Sequence, residues 1–161
     1  MSRRAQYAEG LPSGGQQPIL TSLGRGRHIR LMPATTLTPM LTVRNAAEAV
    51  EFYKKAFGAT EVSQARTPTG QIVAEMSIEE QAFFVVDENP QAFNLSPKAL
   101  GGTTVRISLI VDEPDDVTRR ALAAGAAIVF PIADQSYGLR QGRVEDPYGH
   151  HWLIGKPLAK R

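Results

Sequence analysis

Thr42–Val62 reads TVRNAAEAVEFYKKAFGATEV, and Ile110–Val129 reads IVDEPDDVTRRALAAGAAIV. Each stretch ends a strand, turns, runs a short helix, stops at a Gly-Ala pair and begins another strand. Gly58 and Gly125 lie 67 residues apart, and Ala56/Ala123, Ala59/Ala126 and Val62/Val129 keep that spacing. Val43 and Val111 are 68 apart, so the turn before the second helix has gained one residue. Self-similarity at a fixed separation marks a structural unit used twice.

Around the first copy, Asn45 is placed to cap a helix, and Glu48 follows at the spacing of a reciprocal capping pair. Ala46, Ala49, Val50, Tyr53, Ala56 and Phe57 recur at helical spacing as a buried stripe. Glu51 and Lys55 form an i,i+4 pair on the wet side, and Gly58 ends the helix. Thr38–Val43 alternates as a strand upstream. Ala59–Arg66, Gln71–Ser77 and Gln81–Val86 follow as strands, divided by turns at Thr67–Gly70 and Glu79-Glu80.

The second half repeats the order. Thr103–Val111 is a strand, Asp112 an N-cap, and Pro114 an early helical residue. Val117, Ala121 and Ala124 make a narrow stripe, with Asp115–Arg119 and Asp116–Arg120 paired outside. Ala126–Pro131, Leu139–Val144 and His150–Gly155 are strands, the last two joined by the tight turn Asp146-Pro147-Tyr148-Gly149. The pattern predicts an α+β domain over residues 38–157, built of two tandem βαβββ modules (38–87 and 103–157) that form a curved mixed sheet. Residues 88–102, with Pro90, Pro97 and a Gly-Gly pair, read as a linker, and 158–161 as a tail.

The chain has 161 residues and no cysteine, which excludes disulfides, thiolate metal sites and cysteine nucleophiles. A reducing cytoplasmic setting is the expectation from the lack of cysteine, and no apolar run approaches the ~18 residues of a membrane span. Residues 1–31 hold five arginines against Glu9, a net of +4, so the remainder of this +2 chain carries −2. Residues 1–37 therefore read as a flexible basic extension, with His28 carrying no signal, and the folded part lacks the charge for nucleic acid.

The order of the βαβββ pair, the FYKKAFGA helix at Phe52–Ala59 and the DPYGHHW turn-strand at Asp146–Trp152 resembles the vicinal oxygen chelate superfamily. The resemblance covers about residues 38–157 and is nearest to the glyoxalase/bleomycin resistance protein-like branch. It implies a cavity between two curved sheets, and homodimers, often with the cavity completed across the interface. In metal-dependent members four inward positions supply ligands, and these match Thr38, Phe84, Arg106 and Leu153 here. None is the His, Glu or Gln used there, and Val73 stands where many relatives carry a further His. No metal and no cofactor is therefore expected.

Strand alternation turns Thr38, Met40 and Thr42, then Ala82, Phe84 and Val86, then Thr104, Arg106 and Ser108, then His151 and Leu153 toward the cavity. Leu41, Val43, Ile107, Leu109, Val111, Trp152 and Ile154 face the helices. Thr38, Met40, Phe84, Arg106, Ser108, His151 and Leu153 are the expected cleft. Arg106 is either a fork of donors for an anionic ligand or one half of a structural pair with Glu75 or another acid at the cleft edge. His150 reads as a structural support of the turn. His151 has no carboxylate at short spacing to orient it, and no catalytic residue is assigned. The expected function is binding, or sequestration, of a small molecule in a metal-free cleft. One alternative is a glyoxalase- or dioxygenase-type enzyme working through Glu75 and His151, and another is an oligomeric interaction protein without a ligand.

Overall fold

A computed structural model describes residues 35–159. The extension expected over residues 1–37 falls outside them except for 35–37, as does the end of the C-terminal tail.

Helix α1 (Ala46–Phe57) starts where Asn45, in extended backbone, accepts the Glu48 amide at 3.2 Å, and ends at Gly58 with φ 68°. A second acceptor reaches the same start from far along the chain: Asp87 Oδ1 takes the Ala46 amide at 2.7 Å. The apolar stripe of α1 is buried, together with Phe52. Before it runs β1 (Met40–Val43), and after it β2 (Thr60–Arg66), β3 (Ile72–Ile78) and β4 (Gln81–Asp87). The second module has β5 (Arg106–Ile110), a helix at Pro114–Ala123, β6 (Ala127–Asp134), β7 (Leu139–Glu145) and β8 (His151–Pro157). Each module makes its own four-stranded mixed sheet, ordered β1-β4-β3-β2 and β5-β8-β7-β6. The β1–β4 and β5–β8 pairs are parallel and the others antiparallel. This is the α+β architecture that the repeat predicts, with β1 and β5 left as edges.

Alternation sends Leu41, Val43, Ala74, Met76, Phe83 and Val85 of one sheet, and Val144, Trp152 and Ile154 of the other, under the helices. The two helices also touch, so one apolar cluster runs through both modules. Burying a side chain of this size contributes about 1.5–3 kcal/mol. Among the described residues no helix is long and apolar enough to cross a membrane.

Several local expectations are corrected. The segment read as a linker contains a turn of 3-10 helix at Pro90–Ala92 and a short helix, α2 (Pro97–Leu100), capped by the buried Ser96. The Ser96 hydroxyl donates to Glu88 at 2.6 Å, which pins the segment to the end of β4. The cap of the second helix, α3 (Pro114–Ala123), is Glu113 rather than Asp112. Pro114 takes the first helical position, and the residue before it stays out of the helical region, with φ −122° and ψ 74°. The helix-face ion pairs have i,i+3 spacing: Lys54 meets Glu51 at 2.8 Å and Arg119 meets Asp116 at 2.6 Å. Asp115 turns instead to Arg140, which donates to both its oxygens at 2.8 Å. In β7, Gly142 faces β6 where the register slips; a Cβ there would lie 2.7 Å from the Ile132 amide nitrogen.

The modules are also joined through Asp146, whose side chain is buried. Its Oδ1 accepts the Tyr148 and His150 amides, both at 2.9 Å, and so shapes the β7–β8 turn. Its Oδ2 accepts Tyr53 Oη of α1 at 2.7 Å and Trp152 Nε1 at 3.0 Å. His150 Nε2 donates to the Thr42 carbonyl at 2.9 Å, a second tie from this turn to the first module.

Asp146→Ala strands four donors, and an unmet buried donor costs about 1–3 kcal/mol. Chemical denaturation is expected to show a loss of roughly 3 kcal/mol or more, and a loss below 1 kcal/mol would refute this role. Burial first and Asp146 second push the Tyr53 phenol well above its ordinary value, and burial lifts Tyr148 to about 12. The folded state thus keeps phenolic protons that the unfolded chain releases above about pH 10, so stability falls as pH rises past that point. Tyr53→Phe is expected to be less stable at neutral pH but to lose stability less steeply above pH ~10. Identical alkaline slopes would show that Tyr53 is not the group responsible.

Candidate functional site

Because β1 and β5 are edges, the space between them is not closed by hydrogen bonds. A cleft of about 950 Å³ opens there, with α2 beside it. Met40 and Thr42 enter from β1, Arg106 and Ser108 from β5, and Leu95 and Leu100 from the connection between modules. Met40, Leu100 and Val105 are exposed by 59%, 65% and 65%, an apolar rim open to a ligand.

Of the residues predicted for the cleft, Met40, Arg106 and Ser108 line it. Thr38 lies just ahead of β1, and Phe84, His151 and Leu153 stand one strand inward; none of these four is in the lining. The register explains this. Met40 is opposite Phe84, Arg106 opposite His151, and Ser108 opposite Leu153, so the inward residues share the open faces without reaching the gap. Leu95, Pro97 and Leu100 were missed because residues 88–102 read as a spacer. The Ser96-Pro97 start and Gly101 stop of α2 were signals for it.

Arg106 does not pair with Glu75. Its side chain is exposed and makes no ion pair or hydrogen bond among the described residues, while Glu75 accepts the Ser63 hydroxyl at 3.2 Å. His150, besides holding the Thr42 carbonyl, also lines the cleft.

His151 has a carboxylate nearby, though not within hydrogen-bond distance. The β7–β8 hairpin sets Glu145 directly across from it, with Nε2 3.8 Å from Oε2. Counting back across the tight turn from His151 reaches Glu145, so the sequence contained the signal. Lys98 of α2 donates to Glu145 at 2.7 Å, and this bond, ahead of any other cause, holds the Glu145 carboxyl below its usual range. On the same face Arg143 lies opposite Leu153, its guanidinium 4.7 Å from the Phe130 ring centre.

The divalent metal implied by some relatives does not fit this donor set. A methyl-bearing hydroxyl, a phenyl ring, a guanidinium and an isobutyl group occupy the four matching positions, and only the first has a lone pair to offer. Among the described residues no group of three His, Asp or Glu converges to hold an ion.

TioX from Micromonospora sp. ML1 has a similar fold, with a TM-score of 0.61 at 24% identity over 78% of this chain and all of that one. An Arabidopsis thaliana gene product has a TM-score of 0.61 at 27% identity, covering 77% of this chain and 98% of its own. FosX of Listeria monocytogenes, a fosfomycin resistance protein complexed with Mn(II) and sulfate, has a TM-score of 0.57 at 16% identity over 78% of this chain and 93% of that one. An uncharacterized protein of Mycobacterium tuberculosis is 41% identical over 136 residues, covering 82% of this chain and 79% of its own. The family model for the Glyoxalase/Bleomycin resistance protein/Dioxygenase superfamily matches residues 35–154. With its paired βαβββ modules, this chain belongs to that superfamily.

Proposed function

We propose that the protein binds a small amphipathic anion in the cleft between β1 and β5, with the acid group on Arg106 and the apolar body against Met40, Leu100 and Val105. The observation that carries this reading is the guanidinium of Arg106, unpaired among the described residues, within a mostly apolar cleft. A volume of about 950 Å³ falls within the range of roughly 300–1,000 Å³ typical of small-molecule pockets. Such pockets combine apolar walls with a few polar groups that fix orientation. A guanidinium offers two parallel donors to a carboxylate or phosphonate. Thr42 and Ser108 add hydroxyls beside it. A cationic ligand would meet repulsion from Arg106 and no acid in the lining.

Phenylacetate and phenethylamine, matched in apolar body and opposite in charge, test the reading by calorimetry. Phenylacetate is expected to bind and phenethylamine to bind far more weakly. Arg106→Ala is expected to cost roughly tenfold or more in phenylacetate affinity, the scale of a charge-assisted hydrogen bond. The melting temperature of the free protein should stay unchanged, because Arg106 supports nothing else. Equal affinity in wild type and Arg106→Ala would overturn the assignment.

A further inference from the structure

We propose that the ligand of this cleft is a straight-chain aliphatic carboxylate of about ten to twelve carbons, with its acid group on Arg106 and its tail running along β5 into a second hollow. The inference rests on the anion-binding reading and deepens it by naming the ligand class.

The cleft does not end at Ser108. A second hollow of about 400 Å³ follows it, and Pro39, Ile107 and Ser108 line both. The first hollow sets Thr42 and Met40 with Arg106, and the second sets Leu37 with Ile110. Rising numbers along β5 thus meet falling numbers along the edge of the first module. The two hollows are successive parts of one groove that follows the unpartnered edge of β5.

The chemistry of the groove changes from one end to the other. Among the described residues, Arg106 is the one charged side chain lining the first hollow, and the second has none. Ile78, Phe83 and Ile110 are among the walls of the second, and Trp152, also there, gives its N–H to Asp146. Gln81 and Ser108 are the polar side chains left in that lining. Such a hollow offers water few hydrogen-bond partners, so an alkyl chain displaces poorly held water from it. A sugar, an amine or a second acid group would instead leave its own polar atoms unmet.

Length narrows the class further. Arg106 and Ile110 are the ends of β5, four residue steps of about 3.3 Å apart, or roughly 13 Å. Extended backbone crosses that distance with three bonds per residue, so an extended alkyl chain crosses it with about a dozen bonds. Phenylacetate is short enough to stay in the first hollow. A flexible chain passes Met40 and Ser108 and fills the second.

Calorimetry on the full chain with hexanoate, octanoate, decanoate and dodecanoate, each below its micelle-forming concentration, tests this. One acid is expected per chain, and each added methylene should tighten binding about fourfold, the worth of one buried CH₂. Two variants address the second hollow: Ile110→Asp places a charge in it and Ala82→Phe fills it. Both positions are exposed, so the melting temperature of the free protein should hold. In each variant hexanoate should bind as before, and decanoate should fall to within a few-fold of hexanoate. Arg106→Ala should weaken hexanoate and decanoate by the same factor, because the acid group of both sits there. Flat affinity from hexanoate to dodecanoate, or a chain-length gain that survives both substitutions, overturns the tail assignment and leaves the anion site standing. Several acids per chain, or a loss in Arg106→Ala confined to hexanoate, overturns it in the same way. Failure of both hexanoate and phenylacetate to bind overturns this inference together with the reading beneath it.

Discussion

The Asp146 carboxylate receives donors from a turn, from the strand after it and from a helix in the other half of the molecule. A buried carboxylate without such partners would cost several kcal/mol, and no cation neutralises this one among the described residues. Four donors satisfy it, and bonds to a charged acceptor contribute about 1.5–3 kcal/mol each. Tyr53 meets it only if α1 lies against the second sheet; Trp152 meets it only if β8 leaves the turn in its observed register. The Tyr53 and Trp152 rings, 5.6 Å apart, then pack against one another. One carboxylate thereby couples the seating of the first helix to the hairpin of the second module.

The cleft follows from this docking. With the helices packed together beneath the sheets, β1 and β5 become facing edges and neither finds a strand partner in the other. Edge strands offer side chains to one open face and leave a gap between modules. The tie from His150 to the Thr42 carbonyl holds β1 at one side of the gap, and the Ser96–Glu88 bond places α2 beside it. What lines the gap is therefore set by the same contacts that join the halves, and Arg106 stands there without an ion pair or hydrogen bond among the described residues.

Within its superfamily the chain keeps the scaffold and changes what the scaffold presents. Positions that carry oxygen and nitrogen donors in metal-dependent relatives hold a ring, an alkyl chain and a cation here. A fixed positive charge attracts the anionic groups that a metal ion would also attract, but it has no open coordination positions and does not acidify a bound water.

Much of the architecture was legible in the linear chain because it depends on local rules. Asn45 and Gly58 cap a helix whatever surrounds it, strand alternation separates Leu41 and Val43 from Met40 and Thr42, and the 67-residue echo of Gly58 at Gly125 implies two equal modules. Arg106 could be picked out for the same reason: it is a charged residue in an alternating strand, on the face away from the helices. Other features needed the third dimension. Whether Arg106 would find Glu75 depended on the distance between strands of different modules, and Glu75 turned out to be occupied by Ser63. Asp115 of α3 took Arg140 of β7, and Lys54 of α1 took Glu61 of β2 as well as Glu51, by how helices sit on sheets, and i,i+4 spacing could not anticipate that. The segment around α2 read as a spacer because four helical residues carry too little periodicity to register, yet tertiary contacts make it a wall of the cleft. Local conformation follows from backbone and side-chain sterics that act within a few residues, whereas a site is a convergence of side chains whose distances are decided only when the modules dock.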